Sequence, residues 1–296
     1  MQTKLVRRAL LTAYNHKDCS LCKKLFAQLC SQTRDQLTVL ISDFQLRHGF
    51  PLNQAIKTAF THCQFSYLLQ SVCTDPVEWL TLELANCLNQ FTLQHKTRLL
   101  TIIISCPYDL LCKVRLHYKF QYGFELRDHL CKHNLISHHS DSLLDCLLNN
   151  RREFDGENFP DVISNAEERV QHWTAEQVLS TSSWKCLNYL CKLNFFKNTA
   201  FTDDTSFKLC SLILEYAMDS HLFWSRRLTR PNDAMHVKLL CNDDDIEKIF
   251  DAYLKNNSNQ ANDTSWLSEL FNYDKVKNVK KKNVFTECIP GLFGFK

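Results

Sequence analysis

Two segments of this chain read as copies of one another, residues 44–56 (FQLRHGFPLNQAI) and 118–130 (YKFQYGFELRDHL). Each holds one of only five glycines. Setting Gly49 against Gly123, 74 residues on, also pairs Phe44 with Tyr118, Phe50 with Phe124, Leu52 with Leu126, Ile56 with Leu130 and Ser31 with Ser105. A fixed period longer than a single helix means one supersecondary unit used more than once, each copy burying its apolar face against the next. Arrays of this kind present extended binding surfaces in place of one deep cleft.

Helical spacing runs through the duplicated region. Leu25, Leu29 and Ile41, then Leu80, Leu84 and Leu88, then Leu99, Ile103, Leu110 and Val114 recur mostly at four- and seven-residue intervals. Five glycines and six prolines in 296 residues fall well below average usage, so sharp turns are scarce. Ser31-Gln32-Thr33 and Ser105-Cys106-Pro107 stand at matching places, where one helix should end and a hydroxyl should cap the next. Each glycine then closes a third helix in a left-handed conformation. Leu52/Ile56 and Leu126/Leu130 open a fourth, and residues 65–73 and 141–148 supply a fifth.

Beyond this pair the period blurs. Residues 151–165 (RREFDGENFPDVISN) carry Gly156, Pro160 and little helical spacing, and read as a linker. The pattern then predicts helices over 166–173, 184–198 and 207–228, the last long or paired, with no glycine at the expected corner. A clearer unit follows, with a helix over 235–241, a corner at Asn242-Asp243-Asp244, a helix over 245–255 and a polar surface loop over 256–264 (NNSNQANDT). The division is therefore 1–75, 76–150, linker 151–165, a degenerate 166–222, and 223–296 with a divergent end.

Composition narrows the function classes. The longest strongly apolar run, 99–106, is far short of the ~20 residues a membrane-spanning helix requires. Residues 1–11 lack the apolar stretch of a signal peptide, so a cytoplasmic location is expected. Fifteen cysteines, an odd count set among apolar neighbours, then behave as small buried hydrophobes. Cys19-x-x-Cys22 has metal-ligand spacing but no second pair at zinc-finger distance. His129, Cys131, His133, His138 and His139 could gather a metal, yet ligands at i, i+2 and i+4 do not share one helix face. The net charge of +3 does not argue for nucleic acid, and the aromatics sit at core-like positions instead of among basic residues. Local basic features are 275–282 (KVKNVKKK), Arg151-Arg152, and Arg226-Arg227 with Arg230; each is either a solvated helix end or a contact for phosphate-bearing surfaces. No Gly-rich phosphate loop, Gly-x-Ser-x-Gly elbow or His-Glu-x-x-His pair occurs, so no enzyme is expected.

Helix, loop, helix, an acidic or serine corner, then aromatic-x3-aromatic-Gly-hydrophobic-x-Leu, spread as four units over the chain, resembles the annexin family. The segments that carry it are 37–52, 111–126 and 239–253, with support from His172-Trp173-Thr174-Ala175-Glu176, and among annexins the chain is most similar to the divergent alpha-giardins. The resemblance implies an all-α fold, four annexin-like repeats of about five short helices each, arranged as a slightly curved disc. It implies a peripheral protein of acidic phospholipid membrane surfaces, with calcium ions bridging loops to headgroups and cytoskeletal association. Those ions need a Gly-x-Gly-Thr type loop between the first two helices of a repeat and a distal carboxylate, because Ca²⁺ takes oxygen ligands and glycine lets carbonyls turn outward.

Here the chain departs from the family. The matching loops are Asn15-His16-Lys17-Asp18, 86–91 (NCLNQF), Trp173-Thr174-Ala175-Glu176 and 227–233 (RLTRPND), none with glycine; the distal positions hold Ala59 and His133. Calcium dependence is therefore expected to be weak or absent, with Thr174, Glu176 and Asp233 as the remaining weak calcium candidates. Lys17, Arg226, Arg227 and Arg230 fall on loops expected to face the membrane and could hold anionic lipid directly. The alternative is a helical-repeat scaffold for a cytoskeletal protein such as tubulin, without lipid binding; a homodimer is compatible with either.

Overall fold

A computed structural model describes residues 6–12, 19–61, 66–136, 142–153, 166, 171–199, 204–228, 230–257 and 265–271. These residues form helices and connecting turns, with no strand among them. The helices are α1 (Cys19–Cys30), α2 (Arg34–His48), α3 (Leu52–Ala59), α4 (Ser66–Val72), α5 (Pro76–Asn89), α6 (Leu93–Ser105), α7 (Tyr108–Tyr122), α8 (Leu126–Lys132), α9 (Leu143–Asn149), α10 (Ala175–Thr181), α11 (Trp184–Lys192), α12 (Asp204–Met218), α13 (Ser220–Ser225), α14 (Pro231–Leu240), α15 (Asp243–Asn256) and α16 (Ser265–Phe271). Among the described residues no helix is long and apolar enough to cross a membrane.

Two compact units account for the chain. The first joins residues 1–74 to 224–296. In it α4 packs on α1, α3 and α14, while α16 packs on α1 and α14, around Phe26, Leu52, Ile56, Leu69, Trp224 and Phe250. The second unit, residues 75–223, packs α5 on α6 and α7, α9 on α10, α11 on α12, and α12 on α6 and α9. Its buried charges are paired: Arg98 on α6 donates from Nε to Glu83 of α5 at 2.9 Å, and Arg127 on α8 grips Asp145 of α9 through two bonds of 2.8 and 2.9 Å. Removing one partner of the buried Glu83–Arg98 pair would leave a desolvated charge, a far larger cost than losing an exposed pair.

The duplicated glycines make the same corner twice. Gly49 ends α2 at φ 75° and donates its N–H to Gln45 at 2.8 Å; Gly123 ends α7 at φ 79° and donates to Lys119 at 2.9 Å. The buried faces of the two preceding helices correspond residue for residue, Leu37, Leu40 and Phe44 against Leu111, Val114 and Tyr118. Across each corner the buried ring meets the next aromatic edge-on, Phe44 to Phe50 at 5.8 Å and Tyr118 to Phe124 at 6.0 Å. Each ring also contacts the ring four residues on, His48 at 4.6 Å and Tyr122 at 4.7 Å. Leu52, Ile56, Leu126 and Leu130 then enter the core, as their spacing predicts.

Side chains, not only backbone, close the helix ends, whose last carbonyls have no partner within the helix. Arg34, which opens α2, donates to the carbonyls of Val72 and Thr74 at the end of α4. Its counterpart one period on, Tyr108, reaches Asn149 at the end of α9, and Arg115 donates to Leu148. Arg152 does the same for α10, donating to Ser182 at 2.6 Å and Leu179 at 2.8 Å, with its guanidinium 3.9 Å from the Trp184 ring centroid. The start of the expected linker, residues 151–153, is thus bound to α10 and α11; residues 154–165 lie outside the described residues.

Two local expectations are corrected, and a third, left open between two forms, is resolved. Thr33 caps α2 through a reciprocal bond pair with Gln36, but Ser105 lies inside α6, and α7 opens on Pro107 with no side-chain cap, because Ser105 Oγ bonds back to Thr101. The helix expected over 184–198 stops at Lys192: Asn194 takes φ 56° and a short 3₁₀ turn, Phe195–Asn198, follows. Asparagine tolerates the left-handed region because its short amide can bond locally, so it supplies the turn where glycine is missing. The 207–228 helix is a pair, broken at Asp219, whose carboxylate accepts from the N–H of Leu222.

The described cysteines are free thiols, most of them buried. Burial is the main force pushing Cys73, Cys106, Cys210 and Cys241 up to about 12, so these thiols stay protonated and unreactive.

A side chain at Gly49 or Gly123 would meet no atom within 4 Å, so the cost of a Cβ there is purely the left-handed backbone. Gly49→Ala and Gly123→Ala are each expected to lower the unfolding free energy by about 1–2 kcal/mol in urea titrations, and asparagine at either corner by less. Unchanged midpoints for the alanine variants would show that the corners do not need glycine.

Candidate functional site

The connection between the first two helices of the second copy is short and ends on a ring. α5 stops at Asn89, Gln90 closes it with an N–H to Asn86, and Thr92 caps α6 by accepting from the N–H of His95. Between them Phe91 lies 4.6 Å, centroid to centroid, from the imidazole of His133, the residue that closes α8. His133 stands 5.2 Å from His129, one turn earlier. His129 meets Phe124 edge-on at 5.0 Å and shares a 2.5 Å hydrogen bond between Nδ1 and the buried Tyr118 hydroxyl. Lys132 covers the other side of Phe124, its Nζ 5.1 Å from the ring centroid. A continuous run of rings therefore leads from the glycine corner at 123 to the connection at Phe91.

Burial, then the charges of His133 and Lys132, hold the His129 pKa below its usual value, and burial next to Tyr122 pushes the Tyr118 phenol up. Both residues are thereby kept neutral at neutral pH. Spacing at i, i+2 and i+4 predicts that His129, Cys131 and His133 do not all share one face; Cys131 is buried, while His129 and His133, one turn apart, meet each other, and His138 and His139 lie outside the described residues. Among the described residues no three His, Cys, Asp or Glu side chains group as a metal site would need. A phenyl ring against an imidazole does not fit Ca²⁺, a hard cation that takes six or more oxygens.

The basic candidates divide differently. Lys17 lies outside the described residues. Arg226, Arg227 and Arg230 are brought into one tight turn between α13 and α14, where Arg227 donates its N–H to Trp224 and Arg230 donates its own to Arg227. Arg226 and Arg230 are exposed and Arg227 is half-buried. Trp224, buried and 4.8 Å from the ring of buried His236, anchors the turn from beneath. Asp233 follows in the first turn of α14 and is buried. Thr174 and Glu176 belong to the other unit: the Thr174 hydroxyl accepts from Gln177 as the cap of α10, and Glu176 is half-buried in the first turn. Phe91 was missed as a site residue because its partner is 42 residues away and nothing local to it signals the contact.

Neither a protein-family model nor any curated protein sequence matches the chain. Solved structures do. Annexin III superposes with a TM-score of 0.68 over 91% of this chain and 93% of its own, at 15% identity. Calcium-bound alpha-1 giardin gives 0.64 over 92% of this chain and 100% of its own, at 12% identity. Chicken annexin V, in a complex with Zn²⁺, gives 0.64 over 91% and 94%, at 17% identity. The chain has the annexin fold. The arrangement of helices is thus shared across nearly the whole length at very low sequence identity. Phe91 and His133 are the residues that the sequence resemblance alone matches to a first loop and a distal carboxylate position.

His129 gives this cluster a pH dependence with a definite sign. The unfolded chain protonates His129 near its ordinary 6.5, and the folded chain only at lower pH, so below about 6.5 the unfolded state binds more protons. Stability is then whole above that value and is lost as pH falls through the folded pKa. The thermal midpoint is expected to drop between neutral pH and about pH 5, and His129→Gln to shrink that drop. Equal drops for both chains would show that His129 does not contribute.

Proposed function

We propose that the chain is an annexin-like peripheral protein of acidic phospholipid surfaces and the cytoskeleton, whose attachment depends little or not at all on calcium. The observation that carries this reading is the contact of Phe91 with His133 at 4.6 Å, where the annexin pattern asks for outward carbonyls and a carboxylate. With no oxygen pair to bridge a cation there, direct attraction has to supply the attachment. The turn carrying Arg226, Arg227 and Arg230 supports it, since Arg226 and Arg230 are exposed and a basic side chain beside an anionic bilayer contributes about 1 kcal/mol. Thr174, Glu176 and Asp233 remain the candidates for residual calcium binding. Lys17 would add to the basic face.

Co-sedimentation with phosphatidylserine vesicles tests this directly. Binding is expected to persist in chelator and to weaken by at least roughly tenfold when the three arginines are changed to glutamine. Binding that vanishes on chelation, or that ignores the arginine changes, would contradict it.

A specific observation also favours a protein partner. Leu46 and Phe120 occupy the same position in the two copies, on α2 and α7, and are 86% and 89% exposed. Apolar side chains left in water at a repeated position suit a repeating partner such as a cytoskeletal polymer. Leu46→Ser with Phe120→Ser should abolish co-sedimentation with microtubules and leave vesicle binding intact; vesicle binding lost in parallel would assign these residues to the lipid surface instead.

A further inference from the structure

Lys96 and Lys208 come together within the second unit with no acid between them. Lys96, in the second turn of α6, donates from Nζ to Thr205 Oγ1 at 3.0 Å, and Thr205 stands one turn before Lys208 on α12. Both lysines are half-buried, and Thr205 is buried. Burial first, and then the charge of Lys96, pulls the Lys208 pKa below its usual value. Among the described residues no carboxylate pairs with either amine; Asp204, the nearest acid in sequence, is exposed and bonds to neither. Two like charges held together and partly withdrawn from water are unfavourable unless an anion completes the site.

The surroundings say which kind of anion. Lys96 and Lys208 stand within the first five residues of α6 and α12, where each helix dipole adds positive potential. Leu93, one turn before Lys96, is 74% exposed, and Phe207, next to Lys208, is 67% exposed. Apolar side chains in water gain nothing from a free anion, but they gain from an anion that carries hydrocarbon. The combination of a cationic pair with flanking exposed Leu and Phe is what an interfacial lipid site requires.

We propose that Lys96, Lys208 and Thr205 hold the phosphate of an anionic lipid headgroup without metal, while Leu93 and Phe207 enter the acyl boundary. This rests on the membrane reading above and adds a headgroup site in the second unit, separate in sequence from the arginine turn.

The test uses the full chain in chelator, with vesicles of phosphatidylserine and phosphatidylcholine, vesicles of phosphatidylcholine alone, and inorganic phosphate. Lys96→Gln with Lys208→Gln is expected to weaken binding to the anionic vesicles about twentyfold, some fivefold per lysine, and Leu93→Ser with Phe207→Ser to weaken it as well. Lys208→Gln alone should leave the thermal midpoint unchanged or raise it, because the like-charge contact is gone; a lowered midpoint would reveal a structural partner for the amine and overturn the site. If the unsubstituted chain binds anionic vesicles and the lysine variant binds equally well, the lysine site is overturned while the membrane reading stands. If the unsubstituted chain binds neither vesicle, both fall. Stabilisation by inorganic phosphate that needs both lysines, with vesicle binding indifferent to Leu93 and Phe207, would place a soluble anion there and overturn the lipid assignment.

Discussion

The left-handed corner at Gly49, repeated at Gly123, is the constraint from which the rest of the structure follows. At both corners the helix stops on one residue at positive φ, a conformation that glycine adopts without steric cost. The reversal alone would be loose. It is fixed because a buried ring on the incoming helix, Phe44 or Tyr118, meets the ring just past the corner, Phe50 or Phe124. That clasp sets the angle at which the fourth helix of each copy leaves, and so delivers Leu52/Ile56 and Leu126/Leu130 to their cores.

The same clasp reaches the functional surface. In the second copy it continues from Tyr118 and Phe124 through His129 and His133 to Phe91. Ring contacts there join the end of α8 to the connection between α5 and α6. On the proposed reading, the fold is retained and its means of attachment has changed from bridging metal to fixed positive charge: arginines on the α13–α14 turn, lysines between α6 and α12. Fixed charge binds more weakly than chelated metal and is sensitive to salt, so it suits reversible attachment.

Much of the architecture was legible in the sequence because its determinants are local. Glycine at a corner, a Thr33 cap with Gln36 three residues on, and Leu or Phe at helical spacing all act within a few residues of where they stand. Legibility failed where a different residue did the same physical work. Asn194 turns the chain where glycine was sought, which merged a helix and a 3₁₀ turn into one expected helix. Arg152 looked like part of a solvated linker, yet it closes α10 by donating to two carbonyls, because orphan carbonyls carry no sequence signal of their own. The candidate site was less legible still. His129 and His133 at i, i+4 were within reach of helical geometry, but Phe91 with His133 and Lys96 with Thr205 are meetings across tertiary structure that spacing does not encode.

On the proposed reading, the place between residues 90–92 and the end of α8 is closed by rings and does not hold calcium. A crystal structure of the full chain grown in millimolar calcium tests it most directly. The expected result is the Phe91 ring still against the His133 imidazole, with no cation between residues 90–92 and the end of α8. Metal density there, ligated by backbone carbonyls with Phe91 swung away, would contradict it.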